Sequence, residues 1–147
     1  MALLEALLIE DNPGDVRLTL ESFRVVCEDI HLQVASSGLE ALAYLRHEGV
    51  HTKAPRPDFI LLDLNLPRMN GHEILAQIKN DDNLKSIPTI ILTTSTAEQD
   101  ITKSYQLQAN CVVTKPMCFE EFESLVRRIC DFWGSTVRLP RRRVMES

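Results

Sequence analysis

No apolar run in this sequence approaches the roughly 20 residues needed to span a bilayer. The opening "MALLEALLIE" is apolar, but it carries Glu5 and Glu10 and has no basic leader, so it does not read as a secretory signal. There is no C-x-x-C pair. Cys27, Cys111, Cys118 and Cys130 stand apart, and so do His31, His47, His51 and His72. That spacing argues against a zinc site or a disulfide framework and predicts free thiols in a reducing cytoplasm. A basic excess is also missing: 16 Lys and Arg face 21 Asp and Glu, a formal net charge of -5. A dedicated nucleic-acid surface usually leaves the opposite balance. The expectation is a cytoplasmic protein that engages neither nucleic acid nor membrane.

What is present is a core. Of 147 residues, 44% are hydrophobic, enough for one ordinary domain. Five short apolar runs, "ALLIE" (6–10), "HLQVAS" (31–36), "FILLD" (59–63), "TIILT" (89–93) and "CVVTK" (111–115), alternate with helix-like stretches. The first, third and fourth are almost unbroken, as strands buried on both faces of a parallel sheet are. Between them the apolar residues recur at helical spacing. The stripes are Val16, Leu20, Phe23, Cys27; Ala41, Leu42, Leu45; Ile74, Leu75, Ile78; Ala97, Ile101, Tyr105; and Phe119, Phe122, Val126, Ile129, Trp133. Pro116 opens the last, with Glu120 and Glu121 in its first turn. This alternation predicts an α/β fold: a doubly wound, five-stranded parallel sheet with right-handed crossovers. No internal repeat or second domain is visible. Residues 47–57 read as a polar surface loop, and "RLPRRRVMES" as a short basic tail.

In a parallel sheet the C-terminal strand ends share one edge, where ligands of open α/β sheets bind. The residues brought there are Glu10 with Asp11, Asp63, Thr93 and Lys115. Close carboxylates repel unless a proton or cation intervenes. A hard divalent cation with oxygen ligands, Mg²⁺ foremost, suits them and completes its shell with phosphate oxygens. Thr93 offers a hydroxyl for a phosphate oxygen, and Lys115 a point charge. Asp63, ending a strand in the middle of the sheet, is placed to act as a nucleophile towards phosphorus.

The segments "LLIEDNPGDV", "DLNLPRMNG", "IPTIILTTS" and "VVTKP" resemble the receiver domain of two-component response regulators, over nearly the whole chain. The resemblance implies a flavodoxin-like fold with strand order 2-1-3-4-5. It implies Asp63 as phosphoacceptor, Mg²⁺ held by Glu10, Asp11, Asp63 and the backbone carbonyl of Asn65, and Thr93 and Lys115 as the groups that bind the phosphoryl and relay its presence. "EDNPGDVRL", "LDLNLPRMNG", "LTTSTAEQDI", "SYQLQANCVVTKP" and "DFWGSTVRLP" are similar to single-domain regulators paired with phytochrome histidine kinases. That subgroup implies a histidine kinase partner of the bacterial phytochrome type. It also implies a receiver over 1–134, no output domain, and a homodimer through the C-terminal side, with 135–147 as tail or arm. One position departs from many receivers: Val112 stands where an aromatic ring precedes the lysine by three, so the usual ring rotation is not available.

Three rivals remain at this level. A haloacid-dehalogenase-type phosphatase would need a second Asp two residues after the nucleophile, and Asn65 cannot protonate a leaving group. A flavodoxin-like cofactor binder would meet repulsion between phosphate and the Glu10–Asp11 pair. A non-phosphorylated receiver-like module should have lost a member of the site, and none is missing. Leu18 and Val25 are assigned to a kinase-docking face, and Leu125, Phe132 and Leu139 to partner contact, with Leu107 and Val137 as further apolar candidates. His47 and His51 read as loop residues, and Arg141–Arg143 as a solvated tail.

Overall fold

The structure is a computed structural model that describes residues 4–66 and 69–140. Residues 1–3, Pro67, Arg68 and 141–147, which include the Arg141–Arg143 run, lie outside the described residues. The strands are β1 (Leu4–Ile9), β2 (Ile30–Ala35), β3 (Phe59–Asp63), β4 (Thr89–Thr93) and β5 (Cys111–Thr114). They form one parallel sheet in the order β2-β1-β3-β4-β5, as expected. The helices are α1 (Pro13–Val26), α2 (Gly38–Leu45), α3 (Gly71–Lys79), α4 (Glu98–Gln106) and α5 (Phe119–Asp131). A 3-10 turn, Gly49–His51, lies within the polar loop, and a π-helical turn, Phe132–Thr136, extends α5. β1 and β2 each start and end one or two residues earlier than their apolar runs suggest.

The unbroken apolar runs divide residue by residue between two cores, because successive strand side chains point to opposite faces. Leu7, Ile9, Ile60, Leu62 and Ile91 pack with α2 and α3. Ala6, Leu8, Phe59, Leu61, Ile90 and Leu92 pack with α1 and α5. Side-chain caps start three helices: Asn12, Ser37 and Asn70 accept the backbone N–H of Asp15, Glu40 and Glu73. Thus Asn70-Gly71, read from sequence as a turn, opens α3. α5 begins at Phe119, three residues beyond Pro116, with Glu120 and Glu121 in its first turn as anticipated.

Two helical stripes hold only in part. On α1 Phe23 and Cys27 are buried as expected, but Thr19 and Ser22 are buried with them while Leu20 is exposed. Thr19 is buried because its hydroxyl donates to the carbonyl of Asp15 at 2.7 Å. On α4 only Ser104 is buried, and Tyr105 and Ala97 face solvent.

Two of the residues assigned to partner contact are part of the interior. Leu125 is 6% exposed, since the buried stripe of α5 runs through Phe122, Leu125, Val126, Ile129 and Cys130. Leu18 is half-buried against the α1/α5 core, and Leu107 against the α2/α3 core. Val25 and Phe132 are exposed, and Leu139 is half-buried. The four cysteines, expected to be free thiols, include one adjacent pair. Cys27, at the C-terminal cap of α1, and Cys130, near the end of α5, lie side by side with Cα atoms 6.2 Å apart, within the range a disulfide spans. The packing of α1 on α5 creates this proximity across 103 residues of sequence, which no local motif reveals. Cys111 and Cys118 are free.

Beyond α5 the chain crosses the N-terminal edge of the sheet. Trp133 stacks on Phe59, the first residue of β3, with ring centroids 6.3 Å apart. Pro140 reaches a groove lined by Ala54, Arg56, Leu84 and Ser86, before β3 and β4. The chemistry-bearing residues lie at the opposite edge.

Candidate functional site

β1 delivers Glu10 and Asp11, β3 ends on Asp63, β4 ends on Thr93, and Lys115 follows β5. Glu10, Asp63 and Thr93 are buried, while Asp11 and Lys115 are half-buried. Lys115 Nζ lies 2.6 Å from Glu10 Oε1 and 3.6 Å from Asp63 Oδ2. It also lies 3.2 Å from Asp15 Oδ2, in the first turn of α1. Asp15 went unnoticed in the sequence; the signal available was a third acid in "EDNPGD", on the turn that carries the chain back over the strand ends.

The N–H of Asn65 donates to Asp63 Oδ1 at 3.1 Å, which fixes the carboxylate at the mouth of the β3–α3 loop. Gly71 closes that loop, its N–H donating to the carbonyl of Leu64 at 3.0 Å. Thr93 Oγ1 accepts the N–H of Ser95 at 3.0 Å.

Electrostatically the cluster is short of positive charge. Burial, and then Asp63 beside it, push the Glu10 carboxyl up to about 7, although Lys115 opposes the rise. For Lys115, burial works against the ammonium, but the hydrogen bond it donates to Glu10 and the charges of Asp63, Glu10 and Asp15 outweigh it and hold its pKa above the ordinary value. One lysine therefore leaves Glu10 half-protonated near neutrality. Glu10, Asp11 and Asp63 each offer an oxygen within 4.8 Å of the others. These hard, crowded oxygen donors fit a divalent cation.

A pH dependence follows for the cation-free protein. The folded pKa of Glu10, about 7, lies above its ordinary 4.5, so the folded state holds a proton that the unfolded state has released. The resulting stability is complete below pH 4.5 and is lost as pH rises through 7. Thermal melts in chelator should show a falling midpoint from about pH 5 to about pH 8, with a divalent cation restoring it at the upper end. A flat profile would show that burial and Asp63 do not hold a proton on Glu10.

Asp63, Thr93, Lys115 and the two acids after β1 thus converge as the sequence predicted. Of the residues assigned to partner contact, Val25 lies in the last turn of α1, and Phe132 and Leu139 follow α5.

Comparison with known proteins agrees with this geometry. The response regulator receiver domain family model matches residues 6–127. Response regulator Rcp1 of Synechocystis sp. is 43% identical over 134 residues, 91% of each chain. The phosphorylated cyanobacterial phytochrome response regulator RcpA superposes with a TM-score of 0.91 at 44% identity, covering 95% of this chain and all of that one. The Mn²⁺-bound form of Rcp1 gives a TM-score of 0.87 at 42% identity, covering 94% and 99%. By fold, site and sequence, this chain belongs to the response regulator receiver domain family.

Proposed function

We propose that this protein takes a phosphoryl group from a histidine kinase onto Asp63, with Mg²⁺ held by Glu10, Asp11, Asp63 and the backbone carbonyl of Asn65. The observation that carries this is the buried Asp63 at the end of the central strand, with two further carboxylates within 4.8 Å and Lys115 Nζ at 3.6 Å. An Asp63 oxygen attacks phosphorus and forms the O–P bond. The P–N bond to the kinase histidine breaks, and its electron pair leaves with the ring nitrogen. Lys115, already oriented by Glu10 and Asp15, offsets charge on the transferred group, and the Thr93 hydroxyl donates to one of its oxygens. The cation, when bound, balances the carboxylates and the phosphoryl oxygens. The protein acts on itself alone, as acceptor and by autodephosphorylation. Label transfer from an autophosphorylated histidine kinase should require Mg²⁺. Undiminished transfer in chelator would remove the metal from this reading.

The phytochrome regulator RcpA and its likeness to this chain support a phytochrome-type kinase as donor. A groove of about 430 Å³ beside Glu10 and Asp11, lined by Pro13, Val16, Leu20 and Val34, suits an apolar kinase helix better than Leu18, which faces inward. Val16 and Leu20 therefore replace Leu18 in the docking face, with Val25 further along α1.

Residues 1–134 form the receiver in this reading, and 135–147 an arm that serves a homodimer. The exposed Phe132 and the half-buried Leu139 are its remaining apolar contacts, and each such side chain contributes roughly 1.5–3 kcal/mol when covered. Phosphorylation is read out through α4, β5, α5 and this arm. Analytical ultracentrifugation should find a dimer for the full chain and a monomer for a version ending at Gly134. Two monomers, with or without phosphate, would end the dimer idea.

A further inference from the structure

Two thiols meet where the phosphoryl chemistry has no part. Cys27 and Cys130 are 8% and 7% exposed, with Cα atoms 6.2 Å apart across 103 residues of sequence. Each stands at a helix end. Cys27 caps α1, its N–H donating to the carbonyl of Phe23 at 2.7 Å, and Cys130 is the last residue but one of α5. Both lie in the apolar core that holds Phe23, Ile30, Phe122, Val126 and Ile129. Among the described residues no ion pair joins α1 to α5, so a covalent tie adds a constraint that the seam otherwise lacks. The other two cysteines are free. Burial pushes the Cys111 thiol up, which keeps it protonated and unreactive, while Cys118 stands exposed.

The pair sits at the root of the segment beyond α5. Just after Cys130, Trp133 stacks on Phe59, and the Phe132 ring meets the indole edge-on with centroids 5.3 Å apart. A Cβ at Gly134 would lie 3.7 Å from Ile30 Cδ1 and 3.9 Å from Leu4 Cδ1, so the π-helical turn rests on the first residues of β1 and β2. Ile30 is tied to Cys27, whose carbonyl accepts its N–H at 3.4 Å. One cysteine therefore belongs to the seat of this turn and the other to the helix that delivers it. Helix ends open more readily than helix centres, so a small molecule can reach both sulfurs without global unfolding.

We propose that Cys27 and Cys130 are a redox-modifiable pair whose disulfide staples the end of α5, and with it the start of the arm, to α1. The oxidant is a small-molecule disulfide of the glutathione class. One cysteine gives up its proton and its sulfur attacks a sulfur of that disulfide; a mixed disulfide forms and one small thiolate leaves. The second cysteine, deprotonated in turn, attacks the protein sulfur of the mixed disulfide. The Cys27–Cys130 bond forms and the second small thiolate leaves. The two protons end on the two released thiols, the protein loses two electrons and the small disulfide gains them. Excess small thiol runs both steps backwards. Neither step involves Asp63 or its neighbours. The test equilibrates the full chain with oxidised or with reduced glutathione. Peptide mapping after denaturing alkylation should find 27 cross-linked to 130 in the oxidised sample and all four cysteines alkylated in the reduced one. The oxidised form should melt higher by roughly 10 °C, because the bond closes a long loop in the unfolded chain. Amide exchange over 130–137 should slow with it. The Cys111→Ser, Cys118→Ser double variant should repeat these results, while Cys27→Ser and Cys130→Ser should lose both differences. The parent's own two states carry the comparison even where a single variant fails to fold. Absence of the cross-link at every glutathione ratio would overturn the proposal. So would a cross-link that leaves melting and exchange unchanged, one that joins two chains, or one that excess reduced glutathione does not reverse.

Discussion

Asp63→Asn should reduce base-labile phosphate incorporation to background while leaving the fold intact. An amide is not a nucleophile towards phosphorus, so acceptance stops at its first bond. The substitution keeps an oxygen for the N–H of Asn65, which now sits 3.1 Å from Asp63 Oδ1. It also removes one of three crowded charges. Asp63 stands second only to burial among the causes that raise Glu10, so its neutralisation should let Glu10 ionise more readily with Lys115 as partner. The variant should therefore melt at or above the parent temperature near neutral pH, in chelator. Label persisting on Asp63→Asn would place the acceptor elsewhere. A silent variant that is also unfolded would show that the carboxylate serves the fold.

The second large effect is expected at Gly71→Ala. In an ordinary helix this change is favourable by up to about 1 kcal/mol, because alanine is the better helix former. Here the new Cβ would stand 2.5 Å from Leu64 Cα and 2.7 Å from the Asp63 carbonyl oxygen. Both are backbone atoms, so no rotamer change relieves the clash, and overpacking of this kind costs about 1–3 kcal/mol or more. The loop must move, and it carries the acceptor strand end with it. Chemical denaturation should show a loss of stability, and phosphotransfer should slow in the fraction that stays folded. Gly14→Ala is the control, since its Cβ would meet only the Asn12 side chain, at 3.2 Å. A Gly71→Ala protein as stable as the parent would mean that the loop yields freely.

How much of this was legible in the sequence depends on the kind of signal. The parallel sheet and its reactive edge could be read because apolar runs without alternation mark strands covered on both faces, and their final residues were acids, a threonine and a lysine; the strand order came only from the family resemblance. The α1 and α4 stripes held only in part because Thr19, Ser22 and Ser104 are polar by name yet buried. Thr19 and Ser104 satisfy their hydroxyls on the carbonyl four residues back, which a hydrophobicity pattern cannot register. Leu125 was assigned to the surface because Phe122, Val126 and Ile129 already made a stripe, whereas α5 buries a wider face. Asp15 and the Cys27–Cys130 pair depend on where α1 lands relative to β5 and α5, a matter of packing rather than local pattern.

β3 begins beneath the Trp133 indole and ends at Asp63. The four residue steps from Phe59 to Asp63 set the two roughly 13 Å apart along stiff backbone. The reactive pole and the arm pole thus share a girder while sharing no side chain. Side chains at one pole can therefore change without a direct contact at the other. A fluorophore or an affinity tag attached after Pro140 would likewise stand at the end of the sheet opposite the acid cluster, clear of the groups that would hold a cation or a phosphoryl.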